Sequence, residues 1–326
     1  MRRVTGLILA GLGAFLIAAA VLMRFYLPGQ VVKIPLHEYL VTQLVGHNVS
    51  YFSAAKVKPI TGATMVVTST TKSDDKAGNS DTAVWNTFTY LYDVTNHQRF
   101  SFSIRRLAFD RRSAELVQCC GASIDGNTHI RQSGLAGFLW PFNTGKHSYQ
   151  VFDSGMNRTA TARYVGTTTV GGIKVYKYVE KVKGVKAGTQ KVPASLVGLP
   201  GNKEVTLPVS YTATNTFFVD PVTGAQLNQI QDTHLALTDP STGAERLLLL
   251  DASLTNTPRS TQTVVKVDQD ARRKISLLTF QLPLAALIAG LAALIGGIFL
   301  ARPRRHEEPG YTGKHESEPV LDPASG

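Results

Sequence analysis

Carboxylates and cysteines are scarce in this chain, and each shortage narrows what it can be. Across 326 residues there are 23 Asp+Glu against 34 Lys+Arg, a formal net charge of +11. The two cysteines, Cys119 and Cys120, are adjacent, so neither has a distant partner within the chain. That excludes a framework of long-range disulfides and paired Cys-x-x-Cys zinc ligands. A vicinal disulfide, intermolecular pairing or two buried thiols remain. A vicinal disulfide or buried thiols suit this spacing better than a redox centre, which wants Cys-x-x-Cys at a helix start.

Chemistry-bearing motifs are equally sparse. None of the eight histidines stands in a metal-ligand spacing, and neither His-Glu-x-x-His nor Gly-x-Ser-x-Gly occurs. Ser53-Ala-Ala-Lys56 and Ser69-Thr-Thr-Lys72 match a Ser-x-x-Lys pattern, but its companion motifs are missing and Ser69 lies in a strand-like run. Asp110-Arg111-Arg112 reads as a turn with a local ion pair before it reads as an anion site. The expectation is a protein that is not an enzyme and that needs no cofactor or metal.

Two long apolar runs stand at the ends. Val4–Met23 has 20 residues without a charge, and Pro283–Leu300 has 18. A 20-residue helix rises about 30 Å, the thickness of a bilayer's hydrocarbon core. Arg2 and Arg3 precede the first run, and Arg302, Arg304 and Arg305 follow the second. Positive flanks mark the cytoplasmic side. Arg272, Arg273 and Lys274 give a contrary signal beside a very long loop, where that rule is weak. The first run could also be a cleaved signal with a small-residue site at Ala18-Ala19-Ala20. Its continuation to Met23 and the Arg24–Tyr26 anchor favour an uncleaved span.

The expected layout is therefore residues 1–3 cytoplasmic, 4–24 the first span, 25–274 an extracytoplasmic domain, 275–301 the second span and 302–326 a disordered cytoplasmic tail. Small residues recur every four positions: Gly6, Ala10, Ala14 and Ala18 in one span, Ala285, Ala289, Ala293 and Gly297 in the other. Such stripes allow close helix–helix packing in lipid.

Between the spans the pattern is that of antiparallel β structure. Thr64–Thr71, Val84–Tyr92, Arg99–Phe109, Lys174–Val182, Glu204–Val219, Gln226–Leu237, Glu245–Leu254 and Ser260–Val267 are rich in β-branched and aromatic residues. Asp220-Pro-Val-Thr-Gly224 and Asp239-Pro-Ser-Thr-Gly243 are near-identical turns. Short helices are expected at Leu36–Val45 and Pro193–Val197, and a long loop or a subdomain boundary over Lys183–Lys203. The fold class is mainly β, an antiparallel sheet flanked by two transmembrane helices.

Residues 27–276 hold 27 Lys+Arg against 18 Asp+Glu, a net of +9. That surplus suits anionic lipid headgroups or anionic wall polymers. Nucleic acid is not an expected partner, because no dense basic run is interleaved with aromatics. The most apolar stretch, Gly134–Phe142, offers Leu135, Phe138, Leu139, Trp140 and Phe142 as candidate lipid contacts. As ordinary core they need no special role.

Several segments together resemble a known family. They are RRVTGLILAGLGAFLIAAAVLMRFYLPGQVVKIP at the start, AVWNTFTYLYDV with RRLAFDRRSAELV, GLAGFLWPFNTGKHSYQVFD, ARYVGTTTVGGIKVYKYVEKV and FFVDPVTGAQL. In this order they are similar to the PorA family of actinobacterial membrane proteins, over nearly all of residues 1–300. The resemblance implies a cell-envelope protein with a helix at each end and an extracytoplasmic β domain. It also implies envelope assembly or the handling of an envelope lipid or glycolipid, with a membrane transporter as a candidate partner. A scaffold without ligand and an oligomeric channel are the alternatives. Two helices alone cannot enclose an aqueous pore, and Lys-rich strands are poorly suited to a lipid-facing wall.

Overall fold

The computed structural model describes residues 2–26, 29–30, 32–201 and 203–302. The expected tail, 302–326, lies outside the described residues beyond Arg302. The chain divides into two compact units, one built on the terminal helices and one spanning 27–279.

The first unit pairs α1 (Arg2–Phe25) with α3 (Leu282–Ala301). Both are apolar and long enough to cross a bilayer. Their buried positions fall every seven residues: Gly6, Gly13 and Ala20 on α1, Pro283, Gly290 and Gly297 on α3. At about 100° per residue, a spacing of seven drifts roughly 20° around the helix and a spacing of four about 40°. Only the sevenfold seam stays on the partner. A Cβ on Gly6 would lie 2.8 Å from the Gly297 carbonyl oxygen, and one on Gly290 would lie 2.9 Å from that of Gly13. The four-residue stripes are thereby corrected. Gly6, Ala10, Ala293 and Gly297 lie at or beside the seam, whereas Ala14, Ala18, Ala285 and Ala289 face outward.

The second unit is one curled antiparallel sheet. Its strands are β1 (Tyr39–Ser53), β2 (Lys58–Ser73), β3 (Thr82–Asp93), β4 (Gln98–Asp110), β5 (Leu116–Val117), β6 (Ser123–Ile124), β7 (Tyr149–Asp153), β8 (Arg158–Val170), β9 (Ile173–Pro193), β10 (Glu204–Val219), β11 (Gln226–Thr238) and β12 (Glu245–Asn256). The order is β5-β4-β3-β2-β1-β12-β11-β10-β9-β8-β7, with β6 beside β4. Two meanders thus share the β1–β12 pair as their centre.

Six connections use one device. A Ser or Asp ends the strand, its side-chain oxygen accepts a backbone N–H two or three residues on, and the fifth residue has positive φ. The pairs are Ser53/Val57, Asp93/His97, Asp110/Ala114, Asp153/Asn157, Asp220/Gly224 and Asp239/Gly243. A short side-chain acceptor replaces the missing ladder bond and fixes the turn.

Three expectations are corrected. Leu36, Leu40 and Leu44 mimic helical spacing, yet Tyr39–Ser53 is a strand that pairs with β2 and β12. Even spacing also satisfies a period of two, and the sheet supplies partners on both sides. Ser260–Val267 reads as a strand but lies in α2 (Pro258–Ser276). Thr257 caps its first turn by accepting from Ser260 N, Pro258 opens it, and Ser260, Val264, Val265 and Asp268 bury one face at helical spacing. The expected loop over Lys183–Lys203 is mostly strand, since β9 runs on to Pro193 against β10. The helical turn near Pro193–Val197 is a short 3-10 helix, Ala194–Val197.

Candidate functional site

The apolar stretch around Trp140 binds the two free sheet edges together. Leu116 N donates to the Gly134 carbonyl at 2.8 Å beside β5. Leu135 N donates to Gln150 O at 2.8 Å, and Phe152 N donates to Leu135 O at 2.9 Å, both on β7. Edge strands left with free backbone groups invite foreign strands, and here one chain segment bonds to both edges. Gly134 is required: its φ is +75°, and a Cβ would stand 2.6 Å from the Gln150 oxygen. Further on, Trp140 N donates to Gly224 O at 2.9 Å, tying the segment to the β10–β11 turn.

The five candidate lipid contacts therefore belong to the core. Leu135 is 3% exposed and Trp140 1%. Trp140 stacks on Tyr178 with centroids 4.5 Å apart, and Phe138 stacks on Trp85 at 6.2 Å. Phe138, Leu139 and Phe142 pack half-buried on the same cluster. A fully buried side chain such as Leu135 contributes about 1.5–3 kcal/mol by leaving water, and the half-buried ones proportionately less. Two open, shallow grooves lie elsewhere. One is on the helix pair around Ala20 and Phe280, the other on the sheet around Thr233 and His234.

A buried polar cluster sits beside this core. Arg105 points inward from β4. Its Nε donates to Gln132 Oε1 at 2.8 Å, its Nη1 to Ala136 O at 3.2 Å, and its guanidinium lies 4.8 Å from the Phe152 ring centre. Burial pulls the Arg105 pKa down to about 10, and Asp153 partly opposes this. Across the interior, Tyr211 donates to Asp153 at 2.8 Å, and Asn215 donates to Glu180 at 3.1 Å. Glu180 is fully buried, and its second oxygen has no hydrogen-bond partner. Burial first, then the neighbouring Asp153 charge, push the Glu180 carboxyl up to about 8. Near neutral pH Glu180 therefore keeps its proton, with a cation and amides around it.

A second acidic pair fastens α2 to the sheet. The Thr223 hydroxyl bridges the Asp220 and Asp268 carboxyls, and Arg272 Nη1 donates to Asp220 at 3.0 Å. Asp268 is 2% exposed. Burial leads its pKa up to about 7, aided by Asp220.

The remaining sequence candidates are structural. Ser53 donates to Gln98 and accepts from Lys56 N, while the Lys56 amine donates to Asn96. Ser69 pairs with Thr89 across β2–β3. Asp110 caps its own turn, and Arg111 and Arg112 hold the incoming segment through Ile34 O and Gly29 O. The Cys119 and Cys120 sulfurs are joined as a vicinal disulfide in the turn after β5. Among the described residues no group of three or more His, Cys, Asp or Glu could hold a metal ion.

Sequence reasoning missed Arg105, Gln132, Asp153, Glu180 and Asn215. A signal existed. Glu180 shares its strand parity with Tyr176, Tyr178 and Val182, so alternation alone directs a carboxylate inward.

No curated protein matches the chain. Its two long apolar helices and the family match together make it a β-rich membrane protein. With residues 5–299 matched, the chain belongs to the family described as Porin PorA.

Proposed function

We propose that this is a non-enzymatic membrane protein of the cell envelope. Its sheet domain stands outside the cytoplasm, held at both ends, with both termini cytoplasmic. It serves as a docking platform for envelope-assembly or lipid-transport machinery. An envelope lipid or glycolipid is then cargo of the partner and not the content of a tunnel through the sheet.

The observation that carries this reading is an exposed apolar cluster on the outer face of β3 and β4. Phe102 is 58% exposed, and Ile104 and Phe88 just over a third. They face one another in register, Phe88 opposite Ile104 and Tyr90 opposite Phe102. Clustered exposed apolar side chains mark interaction surfaces on soluble domains. The internal apolar stretch, by contrast, is occupied in closing the sheet.

A photo-reactive amino acid at Phe102, activated in native membranes, should trap one discrete envelope protein. Trapping of lipid alone would overturn the reading.

An oligomeric channel is the second reading, favoured by the family's description. It requires several copies, because one helix pair encloses no pore. It also leaves the sheet outside the hydrocarbon, since exposed β8 and β9 positions such as Arg163, Lys181 and Lys183 suit water. Purified protein in planar bilayers decides: discrete conductance steps support the channel, and silence at high protein density removes it.

A further inference from the structure

The outward face of β8 and β9 is a cationic ribbon. These two strands carry two Arg and six Lys, against Glu180 as their one carboxylate. Glu180 is fully buried on the inner side. Arg163, Lys181, Lys183, Lys186 and Lys191 are exposed on that face, while Lys174, at the parity of Tyr176 and Tyr178, is exposed on the other. Among the described residues none of the eight makes an ion pair. The neighbouring strand β10 adds no neutralising charge beyond Glu204 at its start, and pairs Thr206, Ser210 and Thr214 with Lys191, Lys186 and Lys181. Lys33, Arg106, Arg112 and Arg246, on other parts of the domain, do meet carboxylates.

We propose that this ribbon binds a linear polyanion, a phosphate- or carboxylate-bearing polymer of the envelope. Three observations favour a polymer over an anionic bilayer. The charges follow one strand of 21 residues, which extends for about 70 Å at 3.3 Å per residue. Hydroxyls stand beside the amines, so each anionic group can meet a charge and a hydrogen-bond donor together. Val165 is the one large apolar side chain exposed on β8 or β9, whereas surfaces that settle on membranes present aromatic and aliphatic side chains to the interface. Like charges held unpaired along a rigid strand repel one another, and a polyanion relieves that repulsion while releasing its own counterions. The proposal rests on the extracytoplasmic placement above only for where the polymer is met; the binding itself is measured in isolation.

The test uses the intact protein in detergent micelles, with long-chain inorganic polyphosphate as probe. The variants are Lys177→Gln/Lys181→Gln/Lys183→Gln and a control, Lys56→Gln/Lys58→Gln/Arg99→Gln, that removes the same charge elsewhere. The ribbon variant should weaken binding at least tenfold and flatten its salt dependence, with the control within about threefold. Equal weakening by both variants would mean net charge alone and would overturn the proposal. So would ribbon-dependent binding to phosphatidylglycerol vesicles without binding to polyphosphate. Unchanged Trp fluorescence verifies that each variant is folded.

Discussion

Replacing Glu180 by Gln probes the buried carboxyl pair directly. Glu180 takes up its proton because burial and Asp153 disfavour the charged form, raising it from 4.5 to about 8. A raised folded pKa favours the protonated chain. Its stabilising contribution is complete below the unfolded value, near 4.5, and is lost as pH rises through the folded value, near 8. At about 1.4 kcal/mol per unit, the shift corresponds to at most ~5 kcal/mol. Its coupling to the neighbouring Asp153 charge brings this to about 2–5 kcal/mol. Gln keeps the hydrogen bond accepted from Asn215 but cannot ionise. Urea unfolding followed by Trp fluorescence reports the right region, since Trp85 and Trp140 both lie in the adjoining core. At pH 5 the variant and the natural protein should match within about 1 kcal/mol, and at pH 9 Glu180→Gln should be the more stable by about 2 kcal/mol or more. Parallel stability curves across that range would refute the assignment.

Other outcomes follow from the same contacts. Leu135→Ala should cost about 2–4 kcal/mol, because the residue fills the core and joins both edges; urea midpoints measure it. Gly13→Leu should abolish chemical cross-linking between the terminal helices while Ala14→Leu leaves it intact, the reverse of what a four-residue stripe requires. Burial and the adjacent Asp220 disfavour a charged Asp268, so the packing of α2 on this turn is firmest at acid pH and weakens as pH rises through about 7. Once corrected for the intrinsic base-catalysed rate, hydrogen-exchange protection of α2 should fall over that interval in the natural protein and stay level in Asp268→Asn.

Much of the sheet was legible because its strands alternate and its turns carry chemistry. Seven of the expected strands coincide with β2, β3, β4 and β9–β12, since β-branched residues fit a pleated surface wherever their partners lie. The Asp-Pro turns announced two hairpins. A turn is also legible at Asp110, but the same device at Ser53, Asp93 and Asp153 is not, because Val57, His97 and Asn157 adopt positive φ without being glycine. The Ser260–Val267 error has a physical cause too: β-branched content was weighed above the Thr257-Pro258 cap. The buried cluster was the least legible part. Arg105, Asp153, Glu180 and Asn215 lie far apart in the chain, and only strand order brings them together. The apolar stretch around Trp140 was found, but its closing of both sheet edges depends on backbone bonds to β5 and β7 that no local pattern encodes.

The central claim is that this stretch seals the sheet instead of lining a lipid passage. Native mass spectrometry of the intact protein, released gently from its own membranes, tests it most directly. The account predicts the mass of the bare chain once detergent is stripped. A stoichiometric acyl lipid that survives stripping and is lost on Phe138→Glu would contradict it.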